Sequence, residues 1–230
     1  NVTNTAGSNI TERGIYWGTA NPPELDDEHK VRFNTTSTTT GAFTIDLTGL
    51  SKGTDYWYQA YAFTSGADPA YGLAEKFTTP GDPVVTTKVP VFDAATLSAT
   101  TGGLVTSTGN STLTEWGIYW GTDQANLLTS GTKLKLTSGS SADYALKMTP
   151  LIPGGTYYVV AYATNQAGLT GWGTVEELVV PAGAPVLSKA VLAELLATSA
   201  RISAEVLSDG GKPIVKRGFV WTSLSADPTP

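Results

Sequence analysis

Apolar and polar residues alternate with a period of two along most of this chain. Phe43, Ile45 and Leu47 alternate with Thr44 and Asp46, and Tyr144, Leu146 and Met148 alternate with Ala145 and Lys147. Such alternation marks a strand that turns one face to a core. The next apolar run places Tyr56, Tyr58, Ala60 and Ala62 on one face, and Trp57, Gln59 and Tyr61 on the other. A later run does the same with Tyr157, Val159, Ala161 and Ala163 against Tyr158, Val160 and Tyr162. We expect the first set of each to face the core, where small alanines leave room for facing aromatics such as Trp17 and Trp120. One stretch departs from this pattern. Residues 190–206 (AVLAELLATSARISAEV) combine high helix propensity with spacing near 3.6.

An internal repeat organises these elements. Ile15-Tyr16-Trp17-Gly18-Thr19 returns as Ile118-Tyr119-Trp120-Gly121-Thr122, and a third version reads Gly218-Phe219-Val220-Trp221-Thr222. Ala60-Tyr61-Ala62 returns as Ala161-Tyr162-Ala163, and Tyr71-Gly72 as Trp172-Gly173. Leu50-x-x-Gly53-x-x-Tyr56 returns as Leu151-x-x-Gly154-x-x-Tyr157. The period is about 100 residues, the size of one two-sheet domain. The frame divides the chain into residues 1–80, lacking a first strand and part of a second; a complete unit at 81–180; and a partial unit at 181–230 holding three strands. It aligns Ser199-Ala200 with Ser98-Ala99, which makes the helix-like stretch 190–206 a pair of strands. Trp17, Trp120 and Trp221 fall in one column and are expected in the core. Thr79-Pro80-Gly81-Asp82-Pro83 and Pro181-Ala182-Gly183-Ala184-Pro185 join the units. Two prolines in five residues make each joint stiff.

Composition agrees with an all-β chain. Of 230 residues, 36 are Thr and 25 are Gly, and only 15% are charged. Thr suits strands and Gly punctuates turns. Low charge points to an extracellular protein, since average chains carry about 25%. With no Cys and one His, the chain has no thiolate metal site, no Cys nucleophile and no multi-His site. A net charge of −6 argues against a nucleic-acid surface. No apolar run reaches the roughly 18 residues of a membrane-spanning helix.

The Leu-x-x-Gly-x-x-Tyr element has a mechanical reading. A Tyr opening a strand can fold over the preceding turn and hydrogen-bond its backbone, as in the tyrosine corner of Greek-key sandwiches. Tyr56 and Tyr157 fit this role. Together with Ser98-Ala99-Thr100, Glu12-Arg13-Gly14, Ala161-Tyr162-Ala163-Thr164-Asn165 and the aromatic-Gly pairs, these residues make the chain resemble a tandem fibronectin type III-like repeat protein. The version it resembles is common in surface proteins of Bacteroidetes bacteria. That resemblance implies tandem Ig-like or fibronectin type III-like β-sandwich modules on an exported, cell-surface or filamentous protein.

Candidate chemistry is sparse. Glu24-Leu25-Asp26-Asp27-Glu28-His29 is an acid-rich loop with the single His. It has no EF-hand spacing, and the second unit replaces it with Asp123-Gln124-Ala125-Asn126, so we read a solvated loop and expect no metal. No nucleophile motif such as G-x-S-x-G appears, and we expect neither catalysis nor a cofactor. Trp57, Tyr61, Tyr158 and Tyr162, joined by Trp116, are expected to form an outward aromatic row. Such a row either stacks on sugar rings or supports cross-strand pairs and module contacts. No Arg-Gly-Asp occurs; Asn1, Asn9, Asn34 and Asn110 head N-x-S/T triplets, which arise easily in a Thr-rich chain.

The expected function is a non-enzymatic stalk, adhesin or filament-forming array, extracellular or on a bacterial cell surface. Its expected partners are other repeats of the same protein, through head-to-tail self-association, and a glycan or protein ligand. The alternative is a carbohydrate-binding module of a surface glycan-utilisation system. In the head-to-tail form, the strands of the partial third unit complete the first unit of another copy.

Overall fold

A computed structural model describes residues 9–33, 40–66, 68–139 and 141–221. Apart from one helical turn at Leu127–Ser130, every regular element in it is a strand. The chain packs as two compact units, one of residues 1–85, 105–115 and 163–171, the other of residues 86–104, 116–162 and 172–230.

In the first unit, β1 (Ile10–Gly18), β2 (Lys30–Arg32), β3 (Asp55–Thr64) and β4 (Ala70–Tyr71) form a sheet ordered β2-β1-β3-β4, and β5 (Glu75–Thr78) also pairs with β3. All pairings are antiparallel. Residues 42–48 have no ladder partner among the described residues, although Phe43, Ile45 and Leu47 are half-buried and Thr44 and Asp46 exposed. The period-two pattern is therefore present without the pairing. Phe43 instead closes with Phe33 over the inward guanidinium of Arg13, which lies 5.4 and 5.0 Å from the two ring centres.

The complete sandwich comprises β6 (Val84–Asp93), β7 (Ser98–Ser107), β8 (Leu113–Gly121), β9 (Thr132–Leu136), β10 (Asp143–Met148), β11 (Thr156–Asn165), β12 (Thr170–Trp172) and β13 (Glu176–Val179). One sheet is ordered β10-β7-β6; the other is ordered β12-β11-β8-β9, with β13 on β11. This is the strand arrangement of a fibronectin type III-like β-sandwich. Ile118, Trp120, Tyr144, Met148, Tyr157, Val159 and Ala161 are buried. Tyr144 crosses the core: its hydroxyl donates to the Gly117 carbonyl at 2.9 Å, with the Tyr162 carbonyl at 3.0 Å. Burial pushes the pKa of that hydroxyl up to about 12. Tyr144→Phe is expected to cost about 1 kcal/mol, the net worth of one such bond, read as a lower denaturant midpoint at unchanged slope.

Both tyrosine corners have the same geometry. The Tyr56 hydroxyl accepts from the Ser51 N–H at 2.9 Å, and the Tyr157 hydroxyl accepts from the Ile152 N–H at 2.9 Å.

The helix-like stretch is extended. β14 (Val186–Leu187) pairs with β17 (Val206–Ser208), and β15 (Val191–Leu195) pairs with β16 (Ala200–Ser203). Cross-strand pairing overrides helix propensity here. The expectation that Trp221 joins Trp17 and Trp120 in the core is corrected: Trp221 is 81% exposed. Residues 213–221 carry no ladder partner among the described residues, and none of the described sheets covers that column.

A backbone clasp is built twice. At the first joint, Gly53 N–H donates to Pro80 O at 2.9 Å and Gly81 N–H to Gly109 O at 2.8 Å. At the second, Gly154 N–H donates to Pro181 O at 3.2 Å and Gly183 N–H to Gly210 O at 2.8 Å. Gly109 and Gly210 have φ of +70° and +72°, a conformation that favours glycine. A Cβ at Gly109 would lie 2.0 Å from Gly81 O, and one at Gly210 would lie 2.3 Å from Gly183 O. Side chains reinforce the first clasp: Asn110 Nδ2 donates to Thr78 O, Asn165 Nδ2 donates to Gly81 O and Thr108 O, and Lys52 pairs with Asp82.

Candidate functional site

The outer face of each long sheet carries a cluster of aromatic rings under a lysine. In the first unit, β1 places Glu12, Gly14 and Tyr16 on the face that β3 supplies with Tyr61 and Phe63, and the register pairs Gly14 with Tyr61. Gly14 is needed for close approach: a Cβ there would meet the Tyr61 hydroxyl at 2.6 Å and Val31 O at 2.2 Å. The Tyr61 ring lies 4.8 Å from Tyr16 and 5.0 Å from Phe63, and Tyr71 lies 6.3 Å beyond Tyr16. Lys30, from neighbouring β2, sets its ammonium 5.1 Å from the Tyr61 ring and 4.9 Å from the Phe63 ring. It is held there by Glu12 Oε1 at 2.6 Å, and the same oxygen accepts from the Tyr61 hydroxyl at 2.8 Å.

The second cluster uses residues about 101–103 further on. Tyr162 lies 5.4 Å from Tyr119 and 5.6 Å from Trp172, with the Lys133 ammonium 4.9 Å from its ring. Such a contact stabilises by about 2 kcal/mol where the cation is desolvated, as Lys30 is, and by about 0.5–1 kcal/mol at the exposed Lys133.

This geometry changes the expected aromatic row. Tyr61 and Tyr162 lie on the outer face but are 2% and 1% exposed, because lysine stems and neighbouring rings cover them. Trp57 and Tyr158 are half-buried. Trp116 is corrected to the inner face: it is buried in register with Ile118 and Trp120, two residues apart along β8. Within the two clusters the accessible aromatics are Tyr71 and Trp172, at 42% and 43% exposure, which the sequence did not single out as contact residues. Trp172 edges a groove of about 470 Å³ whose lining includes Gln124, Asn126, Leu127 and Val175.

Electrostatics tie the first cluster together. Burial raises the Glu12 pKa, but hydrogen bonds from Lys30 and Tyr61 outweigh it and hold the carboxylate below its ordinary range. The bond to Glu12 raises the Lys30 pKa, and burial raises that of Tyr61. Because the folded-state pKa of Glu12 is depressed, its contribution is present above the unfolded carboxylate value and fades as pH falls through the folded one. Glu12→Gln is expected to destabilise by about 1–2 kcal/mol at pH 7. In urea melts at stepped pH, the gap to the parent should close below pH 4 or so.

The acidic loop closes on itself. Asp26 Oδ1 accepts from the Glu28 and His29 N–H groups at 3.1 and 2.9 Å and lies 2.8 Å from His29 Nδ1. Those bonds, the His29 N–H foremost, lower the Asp26 pKa, and the Asp26 bond raises that of His29. Glu24 completes a trio whose ligand-type atoms lie within 4.8 Å of one another. Among the described residues no helix is long and apolar enough to cross a membrane.

No protein-family model matches the chain. No curated protein matches it. Among solved structures, the crystal structure of chicken CNTN1 FN1–FN3 domains is similar over 76% of this chain at 15% identity, with a TM-score of 0.34. The chain spans 57% of the length of that structure.

Proposed function

We propose that this chain is a non-enzymatic structural array: fibronectin type III-like modules at residues 1–80, 81–180 and 181–230, forming a stalk or adhesive segment on a bacterial cell surface of the Bacteroidetes type. The observation that carries this reading is the clasp built twice, with the same backbone bonds at positions 101–102 residues apart. A spacer needs joints that hold successive modules without a bespoke interface, and main-chain hydrogen bonds around left-handed glycines supply them. The buried ring clusters serve the same end by stiffening each long sheet through cross-strand contacts.

Pulling single molecules from both ends tests the reading. The complete sandwich should resist and then release about 300 Å of chain in one step, at roughly 3.3–3.6 Å per residue. A featureless extension, or one step for the whole chain, overturns it.

A second reading, glycan binding, is favoured by one feature: the exposed Trp172 ring beside a groove that contains Gln124 and Asn126. A ring of this kind stacks on a sugar while amides orient its hydroxyls. On that reading Trp172→Ala abolishes retention on a glycan array, while the melting temperature moves by no more than about 3 °C. Unchanged retention, or none by the parent protein, removes this reading.

A further inference from the structure

The groove beside Trp172 lies between two loops of the complete sandwich. One loop joins β8 to β9 and supplies Gln124 to Thr129; the other follows β12 and supplies Gly173 and Val175. Leu127 and Val160 line the groove and are buried, whereas Leu128, Trp172 and Val175 line it and are exposed. Its volume of about 470 Å³ falls within the range of small-ligand sites, roughly 300–1,000 Å³.

Both walls are held before any ligand arrives. The Trp172 ring packs 5.6 Å from Tyr162 and 5.8 Å from Tyr119. The next residue, Gly173, donates its N–H to Ala161 O at 2.9 Å. A Cβ at Gly173 would lie 2.4 Å from Thr87 Oγ1, so only glycine lets this segment lie against β6. On the opposite wall Asp123 Oδ1 accepts from the Ala125 N–H at 3.0 Å, and Asp123 Oδ2 accepts from Asn126 Nδ2 at 2.8 Å. A ring and an amide fixed in advance lose little freedom on binding. The Gln124 amide is exposed and has no hydrogen-bond partner among the described residues, which leaves it open to a ligand.

The groove is also uncharged. None of its lining residues is Asp, Glu, Lys, Arg or His. Asp123, the one acid in the β8–β9 loop, turns both carboxylate oxygens onto the loop itself. The loop between β1 and β2 of the first unit is built the other way, with Glu24, Asp26, Asp27, Glu28 and His29, and Tyr71 stands at the repeat position of Trp172. Desolvating a charged group is costly unless an opposite charge meets it. The groove therefore suits a ligand with an apolar face, a polar edge and no charge. An uncharged pyranose has that build, with C–H bonds on the faces of its ring and hydroxyls around the edge.

We propose that this groove takes a neutral pyranose, stacked by its C–H face on Trp172 and hydrogen-bonded through its hydroxyls to the Gln124 and Asn126 amides, and that the first unit has no equivalent site. This deepens the glycan reading of the same groove and rests on it.

The full chain is applied to an array of neutral hexose oligosaccharides beside uronic-acid, sialylated and sulfated ones. Retention should favour the neutral set by at least about tenfold. It should be the same at about 0.05 and 0.5 M salt, because no charges are paired. Trp172→Ala should lose it. Gln124→Ala, at an exposed site, should weaken it about three- to tenfold, the worth of one hydrogen bond. Tyr71→Ala removes the similarly exposed ring of the first unit and should leave retention at the parental level.

Retention on acidic glycans alone overturns the proposal and leaves the glycan reading standing; no retention by the parent on any sugar removes both. Parental retention by Trp172→Ala, or loss on Tyr71→Ala, overturns the assignment to this groove. Displacement of the bound sugar by an uncharged proline-rich peptide at equal concentration places a polypeptide there and overturns it as well.

Discussion

Trp120→Ala is expected to cost about 3–5 kcal/mol, the range for deleting a large aromatic from a packed core. The Trp120 ring is 8% exposed and lies 5.8 Å from Tyr157. Its indole N–H has no hydrogen-bond partner, so truncation orphans no acceptor and the loss is one of packing. Trp17, at the same place in the repeat, lies 5.5 Å from Tyr56 but is only half-buried. Trp17→Ala is expected to cost about half as much, since the stabilisation scales with the area removed from water. Urea unfolding followed by near-ultraviolet circular dichroism gives both values. Equal costs would mean that the two rings are enclosed to the same degree and would contradict the half-burial of Trp17.

Gly109→Val carries the next largest effect. It places a β-branched side chain at φ +70°, which costs about 1–3 kcal/mol in strain, and drives Cβ to 2.0 Å from Gly81 O. The Gly81–Gly109 hydrogen bond must then break. A total of about 3 kcal/mol is expected, together with protease cleavage between Thr79 and Pro83 that is faster than in the parent. Gly210→Val should expose 181–185 in the same way. Melting of each variant, paired with timed proteolysis, separates loss of the clasp from loss of the whole module. Cleavage confined to the five-residue joint marks the clasp.

The strands were legible because alternation reports directly which way a side chain points. Phe43, Ile45 and Leu47 show that this holds even where no ladder partner lies among the described residues. The aromatic row was only half legible, for a physical reason. Alternation gives the direction of Tyr61 and Tyr162 but not what lies over them, and that cover comes from Lys30 and Lys133 on a neighbouring strand. A usable signal was present: the two lysines stand 103 residues apart, the offset of the tyrosines Tyr16 and Tyr119 beneath them. Trp116 was a parity question, since it shares its face with Ile118 and Trp120 on the same strand. Residues 190–206 went the other way. Their helical propensity was local, and the repeat frame, which is non-local, placed them as the strands that the structure shows. Trp221 followed the frame into a core position, but a core also needs a second layer to face it.

The clasps have a genetic corollary. Their shared contacts run between main-chain atoms: Asn110 supports one, whereas Gly211 stands at the matching place in the other. Unequal recombination that drops or duplicates a whole module would therefore leave a working seam behind it. On the proposed array reading, module number could then change without redesign of the seam, and the reach of the protein with it.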